Sequence, residues 1–482
     1  MPRMRFTPAL AATAVLAALL RVPFLNTPTT VDEGGYAYVA RFWARGADLY
    51  GDVWVDRPQG LLLEYRAALA LLGDDGVAVR LLATLTAVAI TVVLGLMLKR
   101  LVSPTAGLTG AALFAVISVG PSIEGFSANG ELLSALPSTM AIGLAISWQR
   151  RPRRATIVLC GLGAGAALLV KQSGYDAGLA IALWLLLAAW RRWHPRREAL
   201  VALALLVAGG VVPVALAALH GALTGWHDWW FAFADYRLSV ESVTTAPVSE
   251  RLSLLWHSRN EALPAIGPLL VLLPFGIAAA WAEARSRLLI IWFALSLSGF
   301  ALGGLFHGHY YVGLVAPLTA LGAVGIARIV RDRPPRVALA AVAIACVVPF
   351  CALALVAAED GPRHRSLASS GDDRIVTDAA VARYLRAHTR PSDRIYALYA
   401  DASIYFVADR RSPYPYLWFL GVKRIPGAIE RLRTTLAGPD APLYIARYQP
   451  ADAIDAGVAR IVARDYRRVA TVDGIPILRR TA

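Results

Sequence analysis

Cysteine is scarce: Cys160, Cys346 and Cys351 are all that this chain of 482 residues contains. All three lie inside apolar runs, which excludes a disulfide framework and a Cys-rich metal site. Charge is scarce too, at 17% of residues against roughly 25% in soluble domains, and this excludes a single soluble globule. Neither a GxGxxG nor a Walker-type loop is found, so no nucleotide-phosphate cradle is indicated, and there is no solenoid-type repeat. The 48 Lys and Arg exceed the 33 Asp and Glu by 15, but they come in short bursts rather than on one polar domain, so no nucleic-acid partner is expected.

What fills the chain instead is apolar: 57% of residues are hydrophobic and the mean hydropathy is +0.54. A membrane-spanning helix needs ~20 mostly apolar residues. Runs of that kind lie near 9–25, 79–98, 105–120, 131–148, 155–170, 176–190, 199–219, 263–282, 288–305, 311–329 and 337–357. The reading is a polytopic α-helical membrane protein of about 11 transmembrane helices. The first run lacks an A-x-A cleavage signal and is read as a retained helix.

Charge orients these crossings, because cytoplasmic loops carry the excess Lys and Arg. With the amino terminus inside, the cytoplasmic gaps hold Arg3 and Arg5, Lys99 and Arg100, Arg150 to Arg154, Arg191 to Arg197, Arg285 and Arg287, and Arg328 to Arg336. Every one is basic. The expected localisation is the cell membrane, multi-pass, with a cytoplasmic amino terminus. The outer face then carries a first loop at 26–78, a middle loop at 220–262 and a tail at 358–482, which divides the chain into a transmembrane module (1–357) and an extracytoplasmic domain (358–482). Within the tail, Val381, Tyr384, Leu385 and His388 mark a helical face, RIYALY and PLYIARY read as strands, and Asp473-Gly474 is a hairpin turn between two more. A small α/β domain is expected.

The first outer loop concentrates the chemistry. Asp32 and Glu33 directly follow the first crossing, which holds a carboxylate at the membrane surface, where a general base can act on a lipid-borne substrate. Asp56-Arg57-Pro58 places an acid and a guanidinium before a rigid turn, and the planar guanidinium fork suits a phosphate. The loop's many aromatics from Tyr36 to Tyr65 would also suit an interfacial hairpin with rings in the headgroup layer. In the middle loop, Trp226, Trp229 and Trp230 read as interfacial anchors, and Asp228, Asp235 and Arg237 as solvated charge in preference to an acceptor groove.

The DE pair after the first helix, the acidic/basic-Pro motif closing the same loop, the alternating outer loops and the outer carboxy-terminal domain together resemble the GT-C superfamily of polyprenyl-phosphate-sugar-dependent glycosyltransferases. The resemblance covers about residues 5–330 and is greatest to the branch of the protein O-mannosyltransferases and the lipid A aminoarabinose transferase. It implies Asp32 as the catalytic base, supported by Glu33, and Arg57 at a position where the family usually has Lys. Glu131, at the mouth of helix four, matches a second family carboxylate that is more often Asp. Lys171, at the outer end of helix five, matches a family lysine and would face the donor phosphate; snorkelling is the plainer account of a lone lysine there. His307, His309 and Tyr310, in HGHYY, match an aromatic HY-type motif that an interfacial belt would also explain. The expected site thus comprises the catalytic residues Asp32, Glu33 and Glu131 and the substrate-binding residues Asp56, Arg57, Lys171, His307, His309 and Tyr310.

The implied activity is a membrane glycosyltransferase, hexosyl or pentosyl, moving a sugar from a polyprenyl-phosphate donor to an extracytoplasmic hydroxyl of a glycan, lipid or protein in a single inverting step. Its partners would be the polyprenyl-phosphate-linked sugar, that acceptor and the lipid bilayer. No cofactor is certain. A divalent metal on His307 and His309 with Asp56 is an option carried by only two loop ligands. A lipid or solute transporter and a non-catalytic cell-envelope assembly factor are the alternatives; the concentration of carboxylates at outer helix mouths favours the enzyme.

Overall fold

The computed structural model describes residues 5–240, 247–331, 333–370 and 374–481. Arg3 of the first basic gap and residues 241–246 of the middle loop lie outside the described residues.

Every apolar run forms a helix. Among the described residues, eight spans are long and apolar enough to cross a membrane: Phe6–Phe24, Gly76–Leu101, Gly130–Arg150, Gln172–Trp190, Arg196–Thr224, Val248–Trp281, Gly308–Ile329 and Arg336–Ala357. The runs at Pro104–Ile117, Arg154–Val170 and Arg287–Leu302 are shorter. The first of them has 14 residues and at ~1.5 Å per residue reaches ~21 Å, short of a ~30 Å hydrocarbon core. In chain order the helices are α1 (Phe6–Leu19), α2 (Val31–Ala44), α3 (Gln59–Leu72), α4 (Gly76–Leu101), α5 (Pro104–Ile117), α6 (Gly130–Arg150), α7 (Arg154–Val170), α8 (Asp176–Trp190), α9 (Arg196–Thr224), α10 (Trp226–Trp230), α11 (Val248–Trp281), α12 (Arg287–Gly303), α13 (Val312–Ile329) and α14 (Pro335–Ala357).

Side-chain caps set several of the starts. Asp75 accepts from Ala78 N to open α4, Ser103 from Ala106 N to open α5, and Asn129 from Leu132 N to open α6. Glycines let backbones meet where helices cross: a Cβ on Gly161 of α7 would lie 2.1 Å from the Leu206 carbonyl of α9. α13 is the central helix. It packs against α5, α6, α11 and α12, and 83% of the apolar window of its span is buried. By contrast Val271 on α11 and Leu339 and Ile344 on α14 are exposed, as side chains facing lipid tails would be.

Beyond Ala357 the chain forms α15 (Gly361–Ser370), α16 (Arg374–His388), α17 (Ser403–Ala408), α18 (Phe419–Arg424), α19 (Ala428–Ala437) and α20 (Ala456–Asp465) around strands β1 (Ile395–Leu398), β2 (Tyr444–Arg447), β3 (Tyr466–Val472) and β4 (Ile475–Arg480). The sheet order is β1-β2-β4-β3, parallel between β1 and β2 and antiparallel elsewhere. The β3–β4 turn falls on Asp473 and Gly474, both at positive φ (44° and 81°), the backbone that a two-residue hairpin with right-handed strand twist requires.

Two local expectations change. The aromatics of the first loop are packed in protein and not in a headgroup layer: Tyr36, Tyr38, Tyr50, Trp54 and Tyr65 are all buried, and Tyr38, Trp54 and Tyr36 meet Tyr405, Tyr416 and Trp418 of the carboxy-terminal segment. Likewise Trp229 is buried and donates its indole N–H to Gln59 Oε1 (3.0 Å), whereas Trp226 and Trp230 stay exposed. Much of the middle loop is itself helical, since α9 runs on to Thr224, a π-helix covers Phe231–Val240 and α11 begins at Val248.

Candidate active site

The site begins at the first turn of α2, which a capping box fixes: Thr30 Oγ1 accepts from Glu33 N (3.3 Å) and Glu33 Oε2 accepts from Thr30 N (2.9 Å). Glu33 Oε1 also accepts from Arg80 of α4 (2.9 Å) and from the Ala128 backbone N–H (2.8 Å). Glu33 and Arg80 are each only 1% exposed. Every oxygen of Glu33 is therefore committed, and its carboxylate ties α2 to α4 and to the loop that enters α6.

Asp32 points elsewhere and is only half-buried. Its Oδ2 accepts from the Tyr36 hydroxyl one turn on (3.1 Å) and its Oδ1 from Trp418 Nε1 (3.3 Å). Burial, only partly offset by the Arg57 guanidinium, raises the Tyr36 phenol well above its usual value, so it remains a hydrogen-bond donor to Asp32.

Asp56 and Arg57 close the loop. Asp56 Oδ2 pairs with Arg57 (2.6 Å) and with Arg237 from the π-helix. Burial pushes this carboxyl upward, but the Arg237 and Arg57 guanidiniums outweigh it and hold Asp56 below the ordinary carboxylate value. The buried Arg57 guanidinium faces the Tyr36 ring (5.6 Å) and lies within electrostatic reach of Asp32 and Tyr310. Gln172 donates to the Asp56 carbonyl (3.0 Å), fixing the turn before Pro58.

On the opposite wall Glu131, in the first turn of α6, forms an ion pair with Lys171, the residue that ends α7. The Lys171 ammonium also sits 4.7 Å from the Tyr310 ring centre. A cavity of about 350 Å³ opens here, lined by Glu131, Lys171, Arg237 and Tyr310 and running inward past Ser138 and Asp176.

His307, His309 and Tyr310 lie beside these groups. The two imidazoles stack at 5.7 Å, and His309 Nδ1 lies 3.6 Å from Glu124 Oε2. Burial and the neighbouring His309 hold the His307 imidazole below its ordinary value. Among the described residues no group of three or more His, Cys, Asp and Glu side chains is arranged to hold a metal ion. The Asp56 carboxylate, offered above as a third ligand, is instead bound by two guanidiniums.

The structure thus gathers Asp32, Glu33, Asp56, Arg57, Glu131, Lys171, His307, His309 and Tyr310 around the amino ends of α2, α6 and α13 and the carboxy end of α7, and adds residues outside that expected set. Arg237 leaves the class of solvated loop charge and becomes a wall of the cavity. Asp176, 8% exposed, accepts from Ser138, Trp292 and Ser296 at 2.7–2.9 Å and holds α6, α8 and α12 together at the cavity's inner end; an acidic residue opening an apolar helix was its available signal. Glu124 adopts a left-handed backbone (φ 51°), uncommon for a residue with a side chain, and nothing in the sequence marks it. Trp418 lies 386 positions from Asp32, beyond any local pattern.

Residues 56–216 match the dolichyl-phosphate-mannose-protein mannosyltransferase family. No curated protein matches the chain in sequence. Among solved structures, ArnT from Cupriavidus metallidurans bound to undecaprenyl phosphate is 16% identical with a TM-score of 0.65, over 99% of this chain and 98% of that one. The same protein in the apo state gives 15% and 0.68 over 98% of each chain. The archaeal oligosaccharyltransferase AglB from Archaeoglobus fulgidus, in complex with an inhibitory peptide and a dolichol-phosphate, is 12% identical with a TM-score of 0.58, over 96% of this chain and 72% of that one. With a family match over residues 56–216 and a fold shared along its whole length, the protein has the GT-C architecture that its first-loop motifs resemble.

Proposed function

We propose that this protein is a membrane glycosyltransferase that moves a sugar from a polyprenyl phosphate to an acceptor hydroxyl outside the cytoplasm. The observation that carries the reading is a cavity lined by Lys171, Arg237, Glu131 and Tyr310, with Arg57 joined to Arg237 through Asp56 and within electrostatic reach of Tyr310 and of the half-buried carboxylate Asp32. The fold-mates that bind undecaprenyl phosphate and dolichol-phosphate support the choice of donor.

In this reading Asp32 takes the proton of the acceptor hydroxyl as its oxygen bonds to the anomeric carbon. The bond from that carbon to the phosphate oxygen breaks, and the electron pair leaves with the polyprenyl phosphate. Arg57 and Arg237 neutralise the departing charge, with Asp56 holding the two guanidiniums in register. Glu131 keeps Lys171 at the cavity wall, where its ammonium reaches the same phosphate. A single displacement of this kind inverts the anomeric centre. His307, His309 and Tyr310 border the donor, and Glu33 sets the direction of Asp32 by fixing α2. The polyprenyl chain would lie along the apolar helix faces, at about 0.8 kcal/mol per buried CH₂.

The same reading takes residues 1–357 as the transmembrane module, with a cytoplasmic amino terminus, and 358–482 as the extracytoplasmic domain. The test is sugar transfer from synthetic polyprenyl-phosphate sugars in proteoliposomes. Transfer by the wild-type protein and its loss in Asp32→Asn are expected. A wild-type protein that passes lipid or solute across the membrane without releasing polyprenyl phosphate would overturn the assignment.

A further inference from the structure

Both oxygens of Asp32 are held, one by Tyr36 from its own helix and the other by Trp418 from the far end of the chain. The approach of that indole depends on the residues that follow the acidic pair, Gly34 and Gly35. A Cβ on Gly35 would lie 2.3 Å from Trp418 Cζ2 and 2.8 Å from Ala402 Cβ, and a Cβ on Gly34 would lie 2.6 Å from Ser403 Cα. Glycines inside a helix are unfavourable relative to alanine. Here they strip one face of α2 so that the carboxy-terminal segment can lie directly on it. The segment is anchored between the Ser403 and Trp418 contacts: Ser412 N donates to the Tyr38 hydroxyl (3.0 Å), Trp54 N donates to the Pro415 carbonyl (3.3 Å), and Arg411 pairs with Asp52 (3.0 Å). The Trp418 ring also leans on Tyr36, with ring centres 6.1 Å apart.

We propose that Trp418 is a positioning residue for Asp32, and that the carboxy-terminal segment thereby completes the active site. This inference rests on the glycosyltransferase reading above. An indole N–H is a donor only, so it fixes one carboxylate oxygen while leaving its remaining lone pair free for the acceptor proton. Without it the Asp32 side chain keeps only the Tyr36 bond and rotates away from a single attack geometry, a loss felt in turnover and not in donor binding.

Trp418→Phe keeps the ring packing and removes the N–H. In proteoliposomes it should lower kcat about tenfold or more, with the donor KM and the unfolding temperature unchanged. In the Asp32→Asn background the same substitution should cause no further loss, because the indole acts through that carboxylate. Gly35→Ala, which forces the indole off α2, should reproduce the kcat defect. Wild-type kcat in Trp418→Phe, a loss that tracks a lowered unfolding temperature, or an undiminished further loss in the Asp32→Asn background would each overturn the proposal while leaving the glycosyltransferase reading intact. An inactive wild-type protein in the same assay would overturn both.

Discussion

Asp32 and Glu33 are consecutive residues with the same functional group, yet they face two regions of opposite character. Beneath α2 lies a closed polar lock, where Glu33 and Arg80 are each 1% exposed and every carboxylate oxygen has a partner. Beside it, Asp32 is half-buried and keeps acceptor capacity beyond its two hydrogen bonds. Two arginines, both buried, divide by surroundings: Arg80 donates to Glu33 and to the Pro28 carbonyl within the lock, and Arg57 faces Asp56 and the Tyr36 ring, within electrostatic reach of Tyr310. In the acidic pair, burial and spare bonding capacity therefore separate the residue that locks the fold from the one proposed to act in the site, where residue type does not.

Breaking each region should give opposite signatures. The largest expected effect is on the working side: Asp32→Asn should cut turnover by about 10²- to 10⁴-fold, with an unfolding temperature close to wild type by scanning fluorimetry in detergent. The lock should respond in the reverse sense. Arg80→Ala leaves the Glu33 carboxylate buried without its ion partner, which costs about 3–5 kcal/mol and should show as a large drop in unfolding temperature and in yield of folded protein. A next smaller effect is expected from Arg237→Ala, which removes one of the two guanidiniums from Asp56 and from the cavity; donor KM should rise about tenfold or more while the fold persists, measured by titrating polyprenyl-phosphate sugar. Arg57→Lys sharpens the comparison further, since it keeps the charge and loses the fork. A several-fold loss of kcat/KM is expected, and a larger loss in Arg57→Ala.

The smallest expected effect lies in the carboxy-terminal segment. Burial raises the Asp378 carboxyl to about 6, against the hydrogen bond from Ser403. The folded form thus binds this proton more tightly than the unfolded chain, so stability falls as pH rises from the ordinary carboxylate range through about 6. Asp378→Asn should flatten the unfolding temperature across that window, and an unchanged slope in the variant would show that other groups set it.

Much of this was legible from the residues alone. Apolar run length located the apolar helices, because a segment in lipid must satisfy its backbone within a helix, although three of the runs form helices shorter than the eight that are long enough to cross. The Asp473-Gly474 turn and the strands around RIYALY and PLYIARY were equally plain from turn chemistry and alternation. The acidic pair and the Asp56-Arg57-Pro58 closure stood out as charge where an apolar chain has little. The aromatic first loop was less legible: ring-rich segments suit a headgroup layer and a protein interior equally well, and the partner that buries them is encoded more than 360 positions away. Trp229 went the same way, because a tryptophan at a helix end carries no mark of whether Gln59 or lipid will meet it.

By itself, the sequence determined the place of the apolar helices, the strands of the small sheet and the identity of the acidic and basic groups near the helix ends, since these follow from local apolar length, turn geometry and charge. Only the tertiary structure decided which carboxylate is locked and which is available, that Arg237 joins Asp56 across 181 positions, and that Trp418 reaches Asp32 over a glycine face. Those pairings are made by distant segments brought together by packing, and no local pattern of residues records where a side chain's partner will come from.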